Sequence, residues 1–427
     1  MTLHTLPTKT AAESAFAEQF AALQGASPAL GREASFRTFA AKGLPTRRDE
    51  AWHYTDLRSL YAHAASLAGA PDASTIAAAR EALSKRPPSG ATTLAIVDGR
   101  FIPELSSEPP TGARFAPLTQ AERAADTEAD ALFALNGALV LGGCVIDVDA
   151  GINVAERFEI VHFVSAGSAK SVYSRVYVNL AAGAQARLVE SYVGAGAGDQ
   201  RNVATIVDLA DGAKAAHAAV IEDNAALHIE SQYVRLGDKA EFSGFGLVSG
   251  GALVRRQIFA TLTGQHANLA LAGLSLLDGR RHADTTLIVD HAAPHGQSRE
   301  FYKHIVADEA TGVYQGKVIV QPGAQKTDGG MKSQAILLSP QAIMNNKPEL
   351  EIFADDVVCG HGATVGALDP EQTFYLQARG LPKAEAEAML LEAFGADAIA
   401  GVDDEELAEL MREKMRAWLA ARAEGAH

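Results

Sequence analysis

From about residue 130 to residue 370 the chain is a succession of short runs rich in Val, Ile and Leu, broken by Gly, Asp or Asn. FEIVHFVSAG, SVYSRVYVNLAAG, VATIVDLADG and GKVIVQPG are examples. Most runs are short and partly alternating, which predicts strands. Long helical periodicity is absent. Within this zone a hexapeptide recurs: GAQARL from Gly183, GAKAAH from Gly212, GDKAEF from Gly237 and GQHANL from Gly264, at intervals of 25 to 29 residues. The shared form is Gly-x-x-Ala-x-large. It makes Ala186, Ala215, Ala240 and Ala267 equivalent, and likewise Leu188, His217, Phe242 and Leu269. A period of that length with several short strands per unit predicts a β-solenoid, each coil stacking on the one below, with loops inserted at some corners.

The flanks differ in texture. Residues 1–115 form an N-terminal region that reads as mainly helical with some strand. AAESAFAEQFAALQG is an Ala-rich helical pattern ending at Gly25, FRTFAAKG ends at Gly43, and ATTLAIVDGRF (91–101) reads as a strand and turn. Residues 130–370 are the solenoid. Residues 371–427 form a C-terminal helical domain. There Pro382 opens the helix KAEAEAMLLEAF, which is expected to stop at Gly395. Asp403 or Asp404 can cap the next helix. In that helix Leu407, Leu410, Met411, Met415, Trp418 and Leu419 recur at helical spacing. This apolar stripe is expected to close the end of the solenoid, since such an end needs a cap, the alternative being that it docks a partner.

Composition narrows the function classes. The net charge of −15 disfavours nucleic acid or an anionic membrane as partner. The sequence shows no signal peptide and no apolar run long enough to cross a membrane, so a cytoplasmic location is expected. The two cysteines, Cys144 and Cys359, make neither a disulfide framework nor a four-thiolate site. The nearest approach to a phosphate-binding loop, TGVYQGKV, has Thr311 in place of the first glycine and Val318 in place of the hydroxyl residue. Gly360, Gly362 and Gly366 are too loosely spaced for a dinucleotide loop, and Asp369-Pro370 follows at once. His282, His291, His295 and His304 cluster in sequence, but Pro294 separates the pair with i, i+4 spacing, so ordinary strand and turn histidines are the expectation.

One stretch carries metal-ligand chemistry. In DDVVCGHGATVGALD (355–369), Cys359 and His361 share one face if the segment is a strand, about 6.5–7 Å apart. Thiolate and imidazole suit iron, zinc or a cluster, but two ligands do not close a tetrahedral site. The pair is therefore half a site at most, for which a partner chain or a transient cluster has to supply the rest; the local sequence equally fits Cys359 as a small buried residue and His361 as an ordinary one. Gly360 and Gly362 leave room for a second backbone.

These residues also carry a resemblance. The block KPELEIFADDVVCGHGATVGALDPEQTFYLQARGL, preceded by GKVIVQPGAQKTDGG, and the N-terminal RRDEAWHYTDLRSL with its Trp-x-Tyr-Thr pattern resemble the SufD branch of the SufB/SufD family, which serves the SUF system of iron–sulfur cluster assembly. The resemblance implies a mainly β protein, a right-handed parallel β-helix with helical regions at both ends. It implies a scaffold without catalysis of its own, with SufB paired at the end of the β-helix and the ATPase SufC docked on the C-terminal helical region. Position by position, His361 falls on the family's interface histidine, facing a SufB cysteine where a cluster is built, and Cys359 on its neighbour. Phe374, Tyr375, Leu376 and Arg379 fall in the partner-facing segment. No tightly bound cofactor is implied, only a transient iron–sulfur cluster in the complex; the whole complex could carry flavin. Without SufB, the same edge allows a homodimer. The chain departs from the family pattern at His53, where Arg or Lys is common, at Gly360, where Ser is common, and at Gly329-Gly330-Met331-Lys332. The alternatives are a SufB-like cluster scaffold, a polysaccharide-active β-helix enzyme, and a metal hydrolase built on the His282–His304 cluster.

Overall fold

In the computed structural model, which describes residues 9–24, 31–86, 90–118, 130–402 and 404–425, strands two apart in sequence lie side by side and parallel. One sheet runs from Gly142–Val148 through every second strand to Ile343–Ile352; the other runs from Thr92–Val97 to Val358–Gly366. Successive strands alternate between the two sheets, so the chain winds as a parallel β-solenoid of about 8 turns, mainly β with 42% strand and 25% helix. The sheets take in Thr92–Val97 and Ala113–Pro117, which lie ahead of the expected solenoid start at residue 130.

The hexapeptide repeat marks a real corner, but its register is corrected. Ala186 pairs with Ala215 as expected, yet Ala215 pairs with Phe242, and Phe242 with Leu269. Ala240 and Ala267 lie two residues earlier in their coils than Ala186 and Ala215 do in theirs. A slip of two keeps every side chain on the same face, so the apolar pattern could not reveal it. The corner itself is set by backbone conformation. Gly183, Gly212, Lys239, His266, His295 and Lys326 each lie two residues before a strand and each has φ between 56° and 68°. The amide of each donates to the carbonyl of the next coil, from Gly183 N to Asp211 O (2.9 Å) up to Lys326 N to Asp356 O (2.6 Å). Glycine adopts this conformation freely; the four other residues hold it because the ladder fixes it.

The interior has two halves of different character. One is aliphatic: Val178, Val207, Val234, Ala260, Val289 and Val318 stack in register, beside Leu180, Leu209, Leu236 and Leu262. His291 occupies the next place in that leucine column; burial pulls its imidazole down to about 4, so it is neutral packing. The other half is polar. Glu190 accepts from Thr205 Oγ1 (2.6 Å) and contacts His162 Nε2 (3.0 Å) and His217 Nε2 (3.1 Å), all buried. Burial opposes the Glu190 charge, but hydrogen bonds from the two imidazoles hold its carboxyl well below the usual range. In the register-paired Glu230–Arg256, Arg256 Nε donates to Oε2 at 2.7 Å and Nη2 to Oε1 at 3.1 Å. Glycine makes room for these groups. A Cβ on Gly246 would lie 1.4 Å from Arg256 Nη1.

Helices cover both outer faces. The helix Ala131–Leu139 is buried along its whole length against the first sheet, with Asp130 capping it through Leu132 N (2.9 Å) and Phe133 N (2.8 Å). Over it lie Ala11–Gln24 and Arg32–Lys42, the second ending at Gly43 (φ 70°) as expected; the expected stop at Gly25 lies outside the described residues. The Trp52–Thr55 signature fastens this layer. The Arg255 guanidinium lies 4.1 Å from the Trp52 ring centre, and the buried Thr55 hydroxyl donates to Asp284 and contacts His282 Nε2 (2.9 Å).

Two expectations for the C-terminal helices are overturned. The first helix does not stop at Gly395; it runs Lys383–Ile399. Gly395 lies inside it, where a Cβ would stand 2.4 Å from Met415 Sδ, so the glycine allows close packing rather than termination. The Met411–Met415 stripe of Glu405–Gly425 does not close the solenoid end. It packs on the outer face of the second sheet against Val189, Val220, Leu247 and Leu274. Asp404 caps that helix through Leu407 N (3.0 Å), while Asp403 lies outside the described residues.

Two substitutions test this account. Thr55→Val should leave Asp284 short of a buried donor and cost about 1–3 kcal/mol in urea unfolding. Gly246→Ala should displace Arg256 from Glu230 and cost on the order of 3 kcal/mol, a loss seen as a lower unfolding midpoint.

Candidate functional site: the open end of the solenoid

The two ends of the solenoid are finished differently. At the N-terminal end the ladder turns antiparallel: Arg100–Phe101 pairs with Thr92–Val97, and Ala113–Pro117 with Gly142–Val148. Short antiparallel strands, one carrying proline, blunt an edge against further pairing. At the C-terminal end the last two strands, Ile343–Ile352 and Val358–Gly366, are full length and parallel, each hydrogen-bonded on one side only. Ile343 (50%), Phe353 (60%) and Val358 (72%) are exposed there. Among the described residues no helix covers this end.

Cys359 and His361 sit on that last strand, as the strand reading requires. Their rungs continue those below: Cys359 pairs with Gly329 and Gly329 with Ser298, while His361 pairs with Met331 and Met331 with Glu300. Cys359 is half-buried against the interior core, whereas His361 is exposed because no rung lies above it. Burial pushes the Cys359 thiol up, so it is not poised as a thiolate in the lone chain. A Cβ on Gly360 or Gly362 would meet nothing within 4 Å, so both glycines face open space. Asp356 is engaged by Lys326. Among the described residues no group of three or more His, Cys, Asp or Glu is placed to hold a metal ion. The lone chain presents half a ligand set on an unfinished edge.

The histidines that cluster in sequence are dispersed in space. His282 meets Thr55, His291 Nε2 meets Ser298 Oγ (3.1 Å), His295 stacks on His266 at a corner (4.6 Å between ring centres), and His304 is buried inside. Beyond the edge, Asp369 caps the helix Pro370–Gln377 through Glu371 N (2.8 Å). Only Thr373 of this helix is buried. Phe374 (70%) and Tyr375 (56%) stand exposed, Leu376 is half-buried, and the Arg379 guanidinium stacks 3.5 Å from the Tyr375 ring centre.

Most of the chain matches two family models. The model described as "SUF system FeS cluster assembly, SufBD core domain" matches residues 163–394, and "SufBD protein N-terminal region" matches residues 15–160. The chain belongs to the SufBD family. It is 30% identical to the iron–sulfur cluster assembly protein SufD of Escherichia coli, over 86% of this chain and 87% of that one. It is 28% identical to the protein ABCI7, chloroplastic, of Arabidopsis thaliana, over 91% and 85%. SufD of Bacillus subtilis is 27% identical over 62% and 61%. This SufBD member has no helix, among its described residues, long and apolar enough to cross a membrane.

Sequence reasoning missed the contrast between the two ends and the polar half of the interior. A signal for the coil was present: Val178-Asn179-Leu180, Val207-Asp208-Leu209 and Val234-Arg235-Leu236 repeat the true register before each corner. The two thiols give a test of the edge. Alkylation of Cys359 in the native chain should accelerate only above the ordinary thiol range, because its thiol is raised. Cys144, buried and raised further, should stay unmodified until unfolding. Peptide mapping across a pH series reads both; fast labelling of Cys359 at neutral pH would contradict the raised thiol.

Proposed function

We propose that this SufBD member is a non-catalytic scaffold of a SUF iron–sulfur cluster assembly complex, and that the open end of its solenoid pairs with SufB. The observation that supports this reading is the asymmetry of the ends: one edge is blunted, while the other is long, parallel, uncovered and carries His361. A SufB strand added to Val358–Gly366 would extend the ladder by main-chain hydrogen bonds, and its side chains would complete the ligand set. His361 is the contact or transient ligand of the cluster under construction, which is cargo rather than a resident cofactor. Cys359 is the weaker second, since its side chain already packs on the core. A second copy of the chain takes the same edge when SufB is absent.

In the same reading SufC docks on the exposed face of Phe374, Tyr375, Leu376 and Arg379 and on the neighbouring helix Lys383–Ile399. ATP-driven movement of SufC would reach the seam through the link between Gly366 and Pro370 and open the edge. Flavin, where present, belongs to the whole complex, and the assembly is cytoplasmic. The relatives' names, which are those of assembly proteins, support this reading.

The test is His361→Ala. Its exposed position predicts an unfolding midpoint equal to that of the parent chain, while cluster yield from the reconstituted complex should fall by at least an order of magnitude. A normal cluster yield would remove His361 from the site.

A further inference from the structure

The coil two rungs below the open end contains the least satisfied polar groups of the described interior. Glu300, Tyr302 and His304 alternate along one strand and point inward; Tyr314 faces them from the other sheet. All four are at most 2% exposed. Neither carboxylate oxygen of Glu300, neither ring nitrogen of His304 and neither tyrosine hydroxyl has a hydrogen-bond partner among the described residues. Ser298 draws on the Glu300 carboxylate without meeting hydrogen-bond geometry, its own hydroxyl being in contact with His291 Nε2. The rings are close but not in contact through their polar atoms: the centres of Tyr302 and Tyr314 are 5.0 Å apart, those of His304 and Tyr314 6.2 Å.

Leaving a buried donor or acceptor unmade is destabilising, and four such side chains in one coil would offset a large share of a domain's net stability. A guest has to satisfy them. Its charge is constrained by the lining. Burial raises the Glu300 carboxyl to about 7 and lowers the His304 imidazole to about 3, so near neutrality His304 is neutral and Glu300 divides between its acid and carboxylate forms. The cations that act on this lining are already paired: Arg256, beside Tyr302, is bound in two places by Glu230, and Arg299, beside Glu300, by Asp328. A lining that holds both donors and acceptors, and among the described residues no three metal-ligating groups in reach, suits a neutral, small guest that both donates and accepts.

We propose that this coil is a hydrated chamber, in which ordered water bridges Glu300, Tyr302, His304 and Tyr314, and that it opens toward the end bearing His361. The next coil supports the direction of the opening. Tyr302 pairs with Ser333, and Ser333 with Ala363 on the last strand, so the column goes from polar to small as it reaches the edge. Ser333 Oγ donates to Asn346 Oδ1 (2.7 Å), and Asn346 Nδ2 is itself without a partner among the described residues. Met331, by contrast, fills the column between Glu300 and His361. Water therefore passes by way of Ser333 and Asn346. The chamber exchanges the Glu300 proton with solvent at the edge, with no net change in either. Its use at a cluster-building seam rests on the function proposed above; its existence does not.

Infrared spectroscopy of the isolated full-length chain tests this without any cluster present. A protonated carboxyl stretch should appear slightly below neutrality and vanish in Glu300→Gln. On transfer to D2O that band should shift well before the amides of Gln297–Val306 exchange. In Tyr302→Phe/Tyr314→Phe the band should move, because shared water links groups that do not touch. A band that shifts only together with those amides, or that is unmoved in the double variant, would show a dry coil and overturn the chamber. The double variant keeps the test open if Glu300→Gln does not fold. Because no arm reads cluster assembly, a failure here leaves the scaffold reading standing.

Discussion

The parallel ladder dictates most of what this molecule is. Each coil satisfies its backbone by hydrogen bonding to the coil before and the coil after, so the structure has no natural stopping point. Every internal strand is therefore paired twice, and the problem is confined to the ends. At the start the chain solves it covalently close by, folding Arg100–Phe101 and Ala113–Pro117 back as antiparallel strands. At the finish it does not. The C-terminal helices, which have the apolar surface to serve as a lid, are used on the flank of the second sheet instead. Half of the backbone groups of Val358–Gly366 are left to water or to another chain. An edge of this length left unblunted is a hazard in a monomer, and it makes sense where a partner is part of the design.

The interior carries a second tension. A solenoid is cheapest to build with aliphatic columns, and the Val178 and Leu180 columns show that this chain can do so. Yet opposite them it buries Glu190, Glu230, Arg256 and Glu300 together with several histidines. The first three are satisfied by protein groups. Glu190 is held by two imidazoles and Thr205, and Glu230 and Arg256 hold each other. Glu300 is not so held. Of these four groups, the one nearest the open end is the one that protein groups do not satisfy. Buried ionic groups of this kind add little to stability compared with well-packed apolar ones, so their presence is better understood through the end toward which they run.

Much of the architecture was legible because it depends on local periodicity. Short Val/Ile/Leu runs between turn residues give strands, and a recurrent Gly-x-x-Ala gives a coil. The register was not legible, since a slip of two preserves every inside and outside assignment; only the partner strand distinguishes Ala240 from Phe242 as the neighbour of Ala215. The fate of the C-terminal stripe was equally out of reach. Met411 and Met415 announce that a helix face is buried, but nothing in their spacing says whether it lies on the end or the flank of the coil. Gly395 shows the same limit, since a glycine near the end of an apolar pattern reads as a stop, and here it is a contact point for Met415. At the site, Cys359 and His361 were visible as half a ligand set. Their unequal standing was not, because it comes from the rungs beneath them.

That inequality follows from where the ladder ends. Cys359 and His361 are two residues apart on one strand and share one face, so a fully stacked coil would bury both alike. Under Cys359 lies Gly329, which has no side chain, and the thiol settles into the space and joins the core. Under His361 lies Met331, which fills its column, and the imidazole is left above it, exposed. The outward positions on either side, Gly360 and Gly362, present no side chain that could hinder a new strand. A strand added in register would stand about 4.8 Å away and would set one of its own side chains directly over His361. The pairing that relieves the backbone is thus the same pairing that supplies the imidazole with a neighbour. Ladder geometry alone makes backbone completion and ligand completion a single event.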